Sequence, residues 1–320
     1  MTGRSAARLA AALAVAAAFA AGSAARAAEP VIAVVSQAGA TLGFLPLTAG
    51  EKDERVPIGE TPAVIAVGPD GRTLYVTHPD KGRVSVLDAV TRRVAASFVV
   101  KGSPFGAAAT EENVYVTDWS GNALHRIDVA TGASVNQASV GRSPAAVILD
   151  KAGRRAYVAA READAVSIVE LSTMTETGQI KVGRAPFALA LSPDERRLYV
   201  ANVQSNDLSV VDVESGQEIK RLPVGKMPYG VAVTPDGARL AVTNQHDGTV
   251  SLIDATALTV TATVKVGSYP EGVAITPDGR TAAVANWFDD TVSLIDLDQA
   301  KVTETRETAQ GPRTLLVLTP

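Results

Sequence analysis

Short apolar runs alternate with turns rich in glycine, proline, aspartate and asparagine along most of the chain. The 42 residues that begin at Val224 show the pattern most clearly. Three apolar runs predict buried strands, and a fourth run of alternating apolar and polar residues predicts a half-exposed edge strand. These strands are Tyr229–Val233, Leu240–Thr243, Thr249–Asp254 and Thr259–Val266. Thr234-Pro-Asp-Gly237 has the composition of a tight turn, so the pattern predicts four antiparallel strands with short connections.

The same unit recurs along the chain, and one proline marks the start of each repeat. These prolines are Pro62, Pro104, Pro144, Pro186, Pro228, Pro270 and Pro312, separated by 42, 40, 42, 42, 42 and 42 residues. Each follows a glycine by one to three residues. A period of about 40 to 50 residues is typical of propellers and solenoids. The middle strands are apolar on both faces, as expected where a sheet packs between two others. We therefore interpret each unit as one propeller blade.

The two ends of the chain predict how the ring closes. Val31 to Pro46 aligns with a second and third strand and Lys52 to Ile58 with a fourth, but no first strand precedes them. Pro312 to Leu318 has the pattern of a first strand. We expect it to complete the N-terminal blade, which leaves no unpaired edge between the ends. The prediction is an all-β, seven-bladed β-propeller of four-stranded antiparallel blades, with residues 28–320 as a single domain.

Several repeat motifs resemble those of the YVTN-repeat β-propellers. They are Leu74-Tyr-Val-Thr77, Leu198-Tyr-Val-Ala-Asn202, Val242-Thr-Asn244, turns such as Thr276-Pro-Asp-Gly279 and third strands such as Val84-Ser-Val-Leu-Asp88. The resemblance covers residues 28–320 and implies the propeller fold. It implies no single function, because that family and its relatives include surface-layer proteins, periplasmic binding or accessory proteins near redox systems, and lactonase-like enzymes. The repeat motif carries no catalytic residue, so the resemblance assigns none here.

The first 27 residues have the pattern of a secretory signal peptide. Arg4 and Arg8 give a basic start, Leu9 to Ala20 is uncharged and apolar, and Ala25-Arg26-Ala27 offers small residues at a cleavage site. A membrane anchor is the weaker interpretation, because the apolar run is short for a bilayer. We therefore predict cleavage after Ala27, residues 1–27 as signal peptide, and a periplasmic or secreted protein.

Charge and cysteine content exclude several classes of function. Removal of the signal peptide takes away three arginines and changes the formal net charge from −4 to −7. A mildly acidic protein is not suited to general phosphate binding. The chain has no cysteine, which excludes disulfides, thiolate metal sites and covalently attached haem. His78 and His246 fall on different blades without metal-ligand spacing, so we predict no metal site. We also predict that the protein has no cofactor and is a monomer.

One rim of the propeller is the predicted ligand site. Loops that enter the first strand of each blade, and loops that follow the second strand, share this rim around the channel mouth, and such loops commonly carry function. The candidate ligand-binding residues there are Arg142, Arg184, Lys226, Arg313, Trp119, Phe187, Tyr229 and Trp287. Cations and aromatic rings that converge on one opening would suit an anionic, partly aromatic ligand. Asp207, Asp247, Asp289 and Asp290 predict an acidic border, which favours a compact ligand over a long polyanion.

Each candidate also has a purely structural interpretation. The tryptophans can cap apolar space between blades, the aligned cations can form a solvated rim, and Glu271 with Arg313 can form a salt bridge between adjacent blades. We favour a non-enzymatic binding or scaffold protein for a partner protein or a small anion. The alternatives are single-stranded nucleic-acid binding across the rim and a lactonase- or isomerase-like enzyme. Glu271 is the sole, weak catalytic candidate, and the enzyme hypothesis predicts that its pKa is raised in a cleft.

Overall fold

The computed structural model describes residues 30–47 and 53–319, which form 28 strands in seven four-stranded sheets. Blade 1 contains β1 (Val31–Ser36), β2 (Thr41–Pro46), β3 (Glu54–Pro57) and the last strand, β28 (Pro312–Leu318). Blade 2 contains β4 (Ile65–Val67), β5 (Thr73–His78), β6 (Arg83–Asp88) and β7 (Arg93–Val99). Blade 3 contains β8 (Pro104–Ala109), β9 (Asn113–Asp118), β10 (Ala123–Asp128) and β11 (Ser134–Ser139). The predicted signal peptide lies outside the described residues and stays a prediction.

The remaining blades repeat the same order. Blade 4 contains β12 (Pro144–Leu149), β13 (Arg155–Ala160), β14 (Ala165–Glu170) and β15 (Thr175–Lys181). Blade 5 contains β16 (Pro186–Leu191), β17 (Arg197–Asn202), β18 (Asp207–Asp212) and β19 (Gln217–Pro223). Blade 6 contains β20 (Pro228–Val233), β21 (Arg239–Asn244), β22 (Thr249–Asp254) and β23 (Thr259–Lys265), and blade 7 contains β24 (Pro270–Ile275), β25 (Thr281–Asn286), β26 (Thr291–Asp296) and β27 (Lys301–Glu307). Short 3₁₀ turns cover Pro79–Lys81 and Arg161–Ala163.

The predicted ring closure is confirmed. The sheet of blade 1 has the order β28-β1-β2-β3, and β1 pairs antiparallel with β28 from Val31–Leu318 to Ser36–Pro312. The all-β, seven-bladed fold is therefore confirmed as well. The fourth strand of blade 1, predicted from Lys52 to Ile58, is observed as Glu54–Pro57.

Apolar packing between neighbouring blades holds the ring together. In β17 the side chains of Leu198, Tyr199 and Val200 are wholly or almost wholly buried. Tyr199 packs in one apolar cluster with Leu240 of the next blade, while Leu198 packs in a different cluster on the other face. Full burial of each such side chain stabilises the fold by about 1.5–3 kcal/mol. Middle strands are therefore apolar on both faces, as their sequences predict.

The one short step in the proline spacing has a local cause in blade 3. In blade 6 the Thr234 hydroxyl donates to Asp236 over 2.5 Å, and Gly237 closes the turn with a positive φ of 73°. Blade 3 replaces this turn with a shorter hairpin, in which the Thr110 amide donates to the Asn113 carbonyl over 2.8 Å. The repeat from Pro104 to Pro144 is consequently two residues shorter than the others.

Within the described residues, no helix has the length and apolar character required to cross a membrane.

Candidate functional site

Two repeat positions supply the residues around the channel mouth. The first is the position after each repeat proline, here called the inner ring: Ala63, Phe105, Ala145, Phe187, Tyr229, Glu271 and Arg313. The second is the position after each second strand, here called the outer ring: Gln37, Pro79, Trp119, Arg161, Val203, Gln245 and Trp287. Members of both rings line a mouth cavity of about 520 Å³. A channel cavity of about 190 Å³ shares four inner-ring residues with it: Phe105, Phe187, Tyr229 and Arg313.

Four aromatic side chains form one continuous cluster at the mouth. Ring centroids are 5.3 Å apart for Phe105 and Trp119, 5.6 Å for Phe105 and Phe187, and 4.0 Å for Phe187 and Tyr229. Contacts of this kind add to the apolar burial of the rings. Because three of these rings line both cavities, they separate the mouth cavity from the channel cavity beneath it.

Arg313 packs against this aromatic cluster. Its Nη1 donates to Gln37 Oε1 over 3.2 Å, and its Nη2 donates to the Tyr229 hydroxyl over 2.9 Å. The guanidinium carbon is 5.3 Å from the Phe105 ring centroid and 5.7 Å from that of Trp287. A guanidinium has five N–H donors, and two of them make these hydrogen bonds. Arg313 therefore keeps donors for a carboxylate or another planar anion, which arginine binds through two parallel hydrogen bonds.

Glu271 lies in the wall of the channel cavity, beside Arg313. The residue is 5% exposed, and its Oε1 accepts a hydrogen bond from Gln245 Nε2 over 2.8 Å. Its Oε2 is 3.4 Å from Arg313 Nε but has no hydrogen-bond partner among the described residues. Burial raises the pKa of the Glu271 carboxyl to about 7, against the opposing effects of Arg313 and Gln245. The enzyme hypothesis predicted this raised pKa.

Hydroxyl groups on second strands hold the site residues in place. The Thr243 hydroxyl accepts from the Gly230 amide over 2.8 Å and donates to the Glu271 carbonyl of the next blade over 2.6 Å. Thr77 makes the corresponding bond to the Phe105 carbonyl over 2.6 Å. Each threonine thus fixes the backbone of an inner-ring residue on the following blade.

The pKa of Glu271 predicts a pH-dependent stability. A carboxyl whose folded-state pKa is raised stabilises the fold fully below its ordinary pKa of about 4.5, and this contribution is lost as the pH rises towards 7. For this buried group the loss is roughly 3 kcal/mol. We expect Glu271→Gln to remove this part of the decline, as measured by urea unfolding of both proteins between pH 4.5 and 8. Parallel pH profiles for the two proteins would contradict the prediction.

The structure brings together five of the eight predicted ligand-binding residues. Trp119, Phe187, Tyr229 and Arg313 line the mouth cavity, and Trp287 stacks on Arg313. The other three, all cations, are exposed and lie outside the lining of both cavities: Arg142, Arg184 and Lys226. The four predicted cations therefore do not converge on one opening, and a ligand role for these three stays a prediction.

A left-handed residue explains where the three cations lie. Ser143, Ala185 and Met227 separate them from the repeat prolines and have φ values of 50°, 55° and 54°. The backbone changes direction at these three residues, so the cations before them lie apart from the inner-ring residues that follow the prolines. Arg142 Nη2 donates to the Glu162 carbonyl over 2.8 Å, and Arg184 Nη2 donates to the Gln204 carbonyl over 3.3 Å. Both arginines thus lie over the loop of their own blade.

The rim aspartates fix loops. Asp247 accepts from the Lys226 amide over 2.7 Å, and Asp290 accepts from the Gly311 amide over 2.8 Å. Asp207 accepts from the side-chain amide of Asn202 over 2.8 Å. Carboxylates used in this way position the chain where it enters the inner strands.

Several residues of the site were not among the predicted ones, and four of these have polar or aromatic side chains and belong to the two rings. Phe105 belongs to the inner ring, while Gln37, Arg161 and Gln245 belong to the outer ring. Arg161 packs over Trp119, with 5.9 Å between its guanidinium carbon and the ring centroid, and forms an ion pair with Glu162. All four occupy the repeat positions that already contained predicted residues. Treating each position as a complete ring would have found them.

Fold and site together define the chain as a β-propeller with a recessed aromatic and basic channel mouth. Two family models match it, that of the YNCE-like beta-propeller over residues 152–243 and that of the Cytochrome D1 heme domain over residues 203–314. Each covers less than half of the chain, and both support a β-propeller family. Membership of the YVTN-repeat family stays a prediction. No curated protein matches the sequence.

The solved structures that share this fold include the two that follow. Hydrazine Synthase from Kuenenia stuttgartiensis superposes with a TM-score of 0.73 and 20% identity, covering 80% of this chain and 89% of that one. A functionally unknown protein from Desulfotomaculum acetoxidans DSM 771 superposes with a TM-score of 0.80 and 12% identity, covering 91% and 99%. At these identities the similarity establishes the fold alone.

Proposed function

We propose that the chain is an exported binding protein whose mouth cavity takes a small anion with an aromatic or apolar body. One observation carries the proposal: Arg313 is held within aromatic side chains and keeps unused N–H donors beside two adjacent cavities that share Phe105, Phe187 and Tyr229. The cavities suit a small ligand better than a partner protein, because the aromatic cluster is recessed. Export rests on the predicted signal peptide and is part of the proposal.

The proposal does not extend to single-stranded nucleic acid. Stacking of successive bases requires separate aromatic surfaces along a basic groove. Here the rings of Phe105, Trp119, Phe187 and Tyr229 pack against one another, and the exposed cations Arg142, Arg184 and Lys226 lie outside the cavity that these rings line.

Haem is a poor fit to the donor groups of this site, although one matching family model is a haem domain. Among the described residues, no histidine lines the mouth cavity or the channel cavity. His78 is buried and uses both ring nitrogens, one with the Glu60 carbonyl and one with the Ser85 hydroxyl. His125 is buried within blade 3, and His246 is exposed on the rim. A haem held by a histidine axial ligand is therefore not part of the proposal.

Replacement of Arg313 tests the proposed function, with benzoate as the probe. We expect the wild-type protein to bind benzoate and Arg313→Met to bind it roughly 10- to 100-fold more weakly, since hydrogen bonds between charged groups contribute about 1.5–3 kcal/mol. Isothermal titration calorimetry measures both affinities. Arg142→Met is the matched control, because this exposed arginine lies outside the lining of both cavities, and it should retain the wild-type affinity.

Arg313→Met also leaves Glu271 without its neighbouring cation, which can lower stability as well as affinity. A second variant therefore separates these two effects. Arg313→Met combined with Glu271→Gln removes both charges and should be as stable as the wild type at neutral pH, yet still bind weakly. Equal benzoate affinity in the wild type and this double variant would reject the proposed function.

A second function is favoured by one observation. Glu271 lines the channel cavity and has a pKa raised to about 7, as expected of a general base. Arg313 would bind the carboxylate of a substrate whose proton Glu271 removes. Hydrogen–deuterium exchange at the carbon beside the ketone of small keto acids, or beside the carboxylate of small hydroxy acids, followed by NMR with wild-type protein and Glu271→Gln, tests this function. The absence of protein-dependent exchange would leave binding alone.

A further inference from the structure

Glu271 and a bound anion would compete for the same guanidinium. Glu271 Oε2 lies 3.4 Å from Arg313 Nε, and both side chains are largely buried. When Glu271 is ionised, its charge cancels that of Arg313, and an anion then enters a site without net positive charge. When Glu271 is protonated, the guanidinium is the only charge of the pair. Attraction between opposite charges is strong in such a buried site, so the two states differ in anion affinity.

The groups packed around the pair leave Glu271 as the one that changes charge near neutral pH. Blade 6 contributes Gln245, which does not titrate, and Tyr229. Burial raises the pKa of the Tyr229 phenol to about 12, so this group stays neutral. Asp80 and Arg161 line the mouth cavity on other blades. Neither of them lines the channel cavity, where Glu271 lies.

We propose that the site binds a small apolar monocarboxylate together with one proton, and that Glu271 carries this proton while the carboxylate lies on Arg313. The inference rests on the proposed function and specifies its ligand class and its control by pH. The walls of the channel cavity are mainly apolar, with Val64, Val147, Val231 and Leu315 among them, and suit an uncharged body. The proton comes from water, and no covalent bond changes.

Because anion binding is coupled to protonation of Glu271, anion affinity falls as the pH rises. Above about pH 7 the empty site holds an ionised Glu271, which must take up a proton before the anion binds. Affinity then falls about tenfold for each further pH unit, which gives a weakening of roughly 30-fold between pH 5.5 and 8.5. Below about pH 7 the proton is already present and affinity levels off.

Calorimetric titration of the full chain with benzoate between pH 5.5 and 8.5 tests the inference. Benzoate itself stays ionised over this range. Titrations at pH 8 in two buffers of different ionisation enthalpy report the protons taken up, and we expect close to one per benzoate. Glu271→Gln should bind benzoate with an affinity that does not change with pH and that matches the wild type at low pH. His246→Asn is the control for the exposed rim histidine and should keep the wild-type pH dependence.

The outcomes separate this inference from the proposed function. Benzoate binding that is equally tight at pH 5.5 and 8.5 in the wild type, without proton uptake, overturns the coupling but leaves the binding site in place. A pH dependence that persists in Glu271→Gln, or that benzamide shows equally, also overturns it, because Glu271 or the ligand charge is then not its source. Failure of benzoate to bind at every pH, in the wild type and in Glu271→Gln, rejects the proposed function itself.

Discussion

Deletion of residues 312–320 is expected to abolish the folded propeller, because it removes the innermost strand of blade 1. β1 would keep its pairing with β2 but lose its inner antiparallel partner along its whole length, from Val31–Leu318 to Ser36–Pro312. Leu315 and Leu318 belong to two different apolar clusters, so both faces of blade 1 would be damaged. β28 also contributes Leu316 and Val317 to those clusters, and four such side chains at about 2 kcal/mol each approach the roughly 5–15 kcal/mol that stabilises a domain.

Circular dichroism and urea unfolding check this expectation. Deletion of residues 319 and 320 alone is the control, because β28 ends at Leu318. The control should unfold at the wild-type urea concentration, while the longer deletion should show no cooperative transition. A synthetic peptide of residues 312–318 should restore the transition by pairing with β1. A truncated chain with the wild-type midpoint would show that the ring does not depend on its closing strand.

Gly230→Ala is expected to destabilise the propeller by about 2–4 kcal/mol, because the inner strands approach too closely for a side chain. A Cβ atom at Gly230 would lie 2.4 Å from the Glu271 carbonyl oxygen and 3.0 Å from the Thr243 hydroxyl. Relief of that clash requires movement of the backbone that carries Glu271. The same substitution should therefore also weaken benzoate binding.

Gly178→Ala is the matched control for this prediction. Gly178 also lies within a strand, β15, and a Cβ atom there would meet no heavy atom within 4 Å. Urea unfolding of both variants compares the two sites, and the control should stay within about 0.5 kcal/mol of the wild type. Equal stability of the two variants would mean that contact between inner strands does not limit residue size at Gly230.

The fold could be predicted because every blade repeats the same pattern of buried strands and short turns. The alternation of buried runs and turns fixed β22 at Thr249–Asp254, as observed, and placed the end of β23 one residue too late. Pro312 to Leu318 could be recognised as a first strand, because it resembles the inner strands of other blades and the sequence just before Val31 lacks that pattern. Repetition made these interpretations independent of any single residue.

The site could be predicted only in part, because side-chain direction depends on local backbone conformation that the repeat does not reveal. Arg142 and Arg313 both lie within two residues of a repeat proline, yet Arg142 precedes the left-handed residue and Arg313 follows it. The structural interpretation of Glu271 and Arg313 as an ion pair is supported by their 3.4 Å separation. That separation, and the oxygen of Glu271 without a partner, depend on side-chain packing and have no signature in the sequence.

The strand that closes the ring also carries the guanidinium at its centre. A molecule that binds Arg313 binds only the closed state, since an opened β28 takes the arginine away from Gln37, Tyr229 and Glu271. By mass action, such a molecule at 100 times its dissociation constant stabilises the closed state by about 2.7 kcal/mol. Ligand occupancy of the mouth cavity and the stability of the pairing between β1 and β28 are thus linked, and each can be measured through the other.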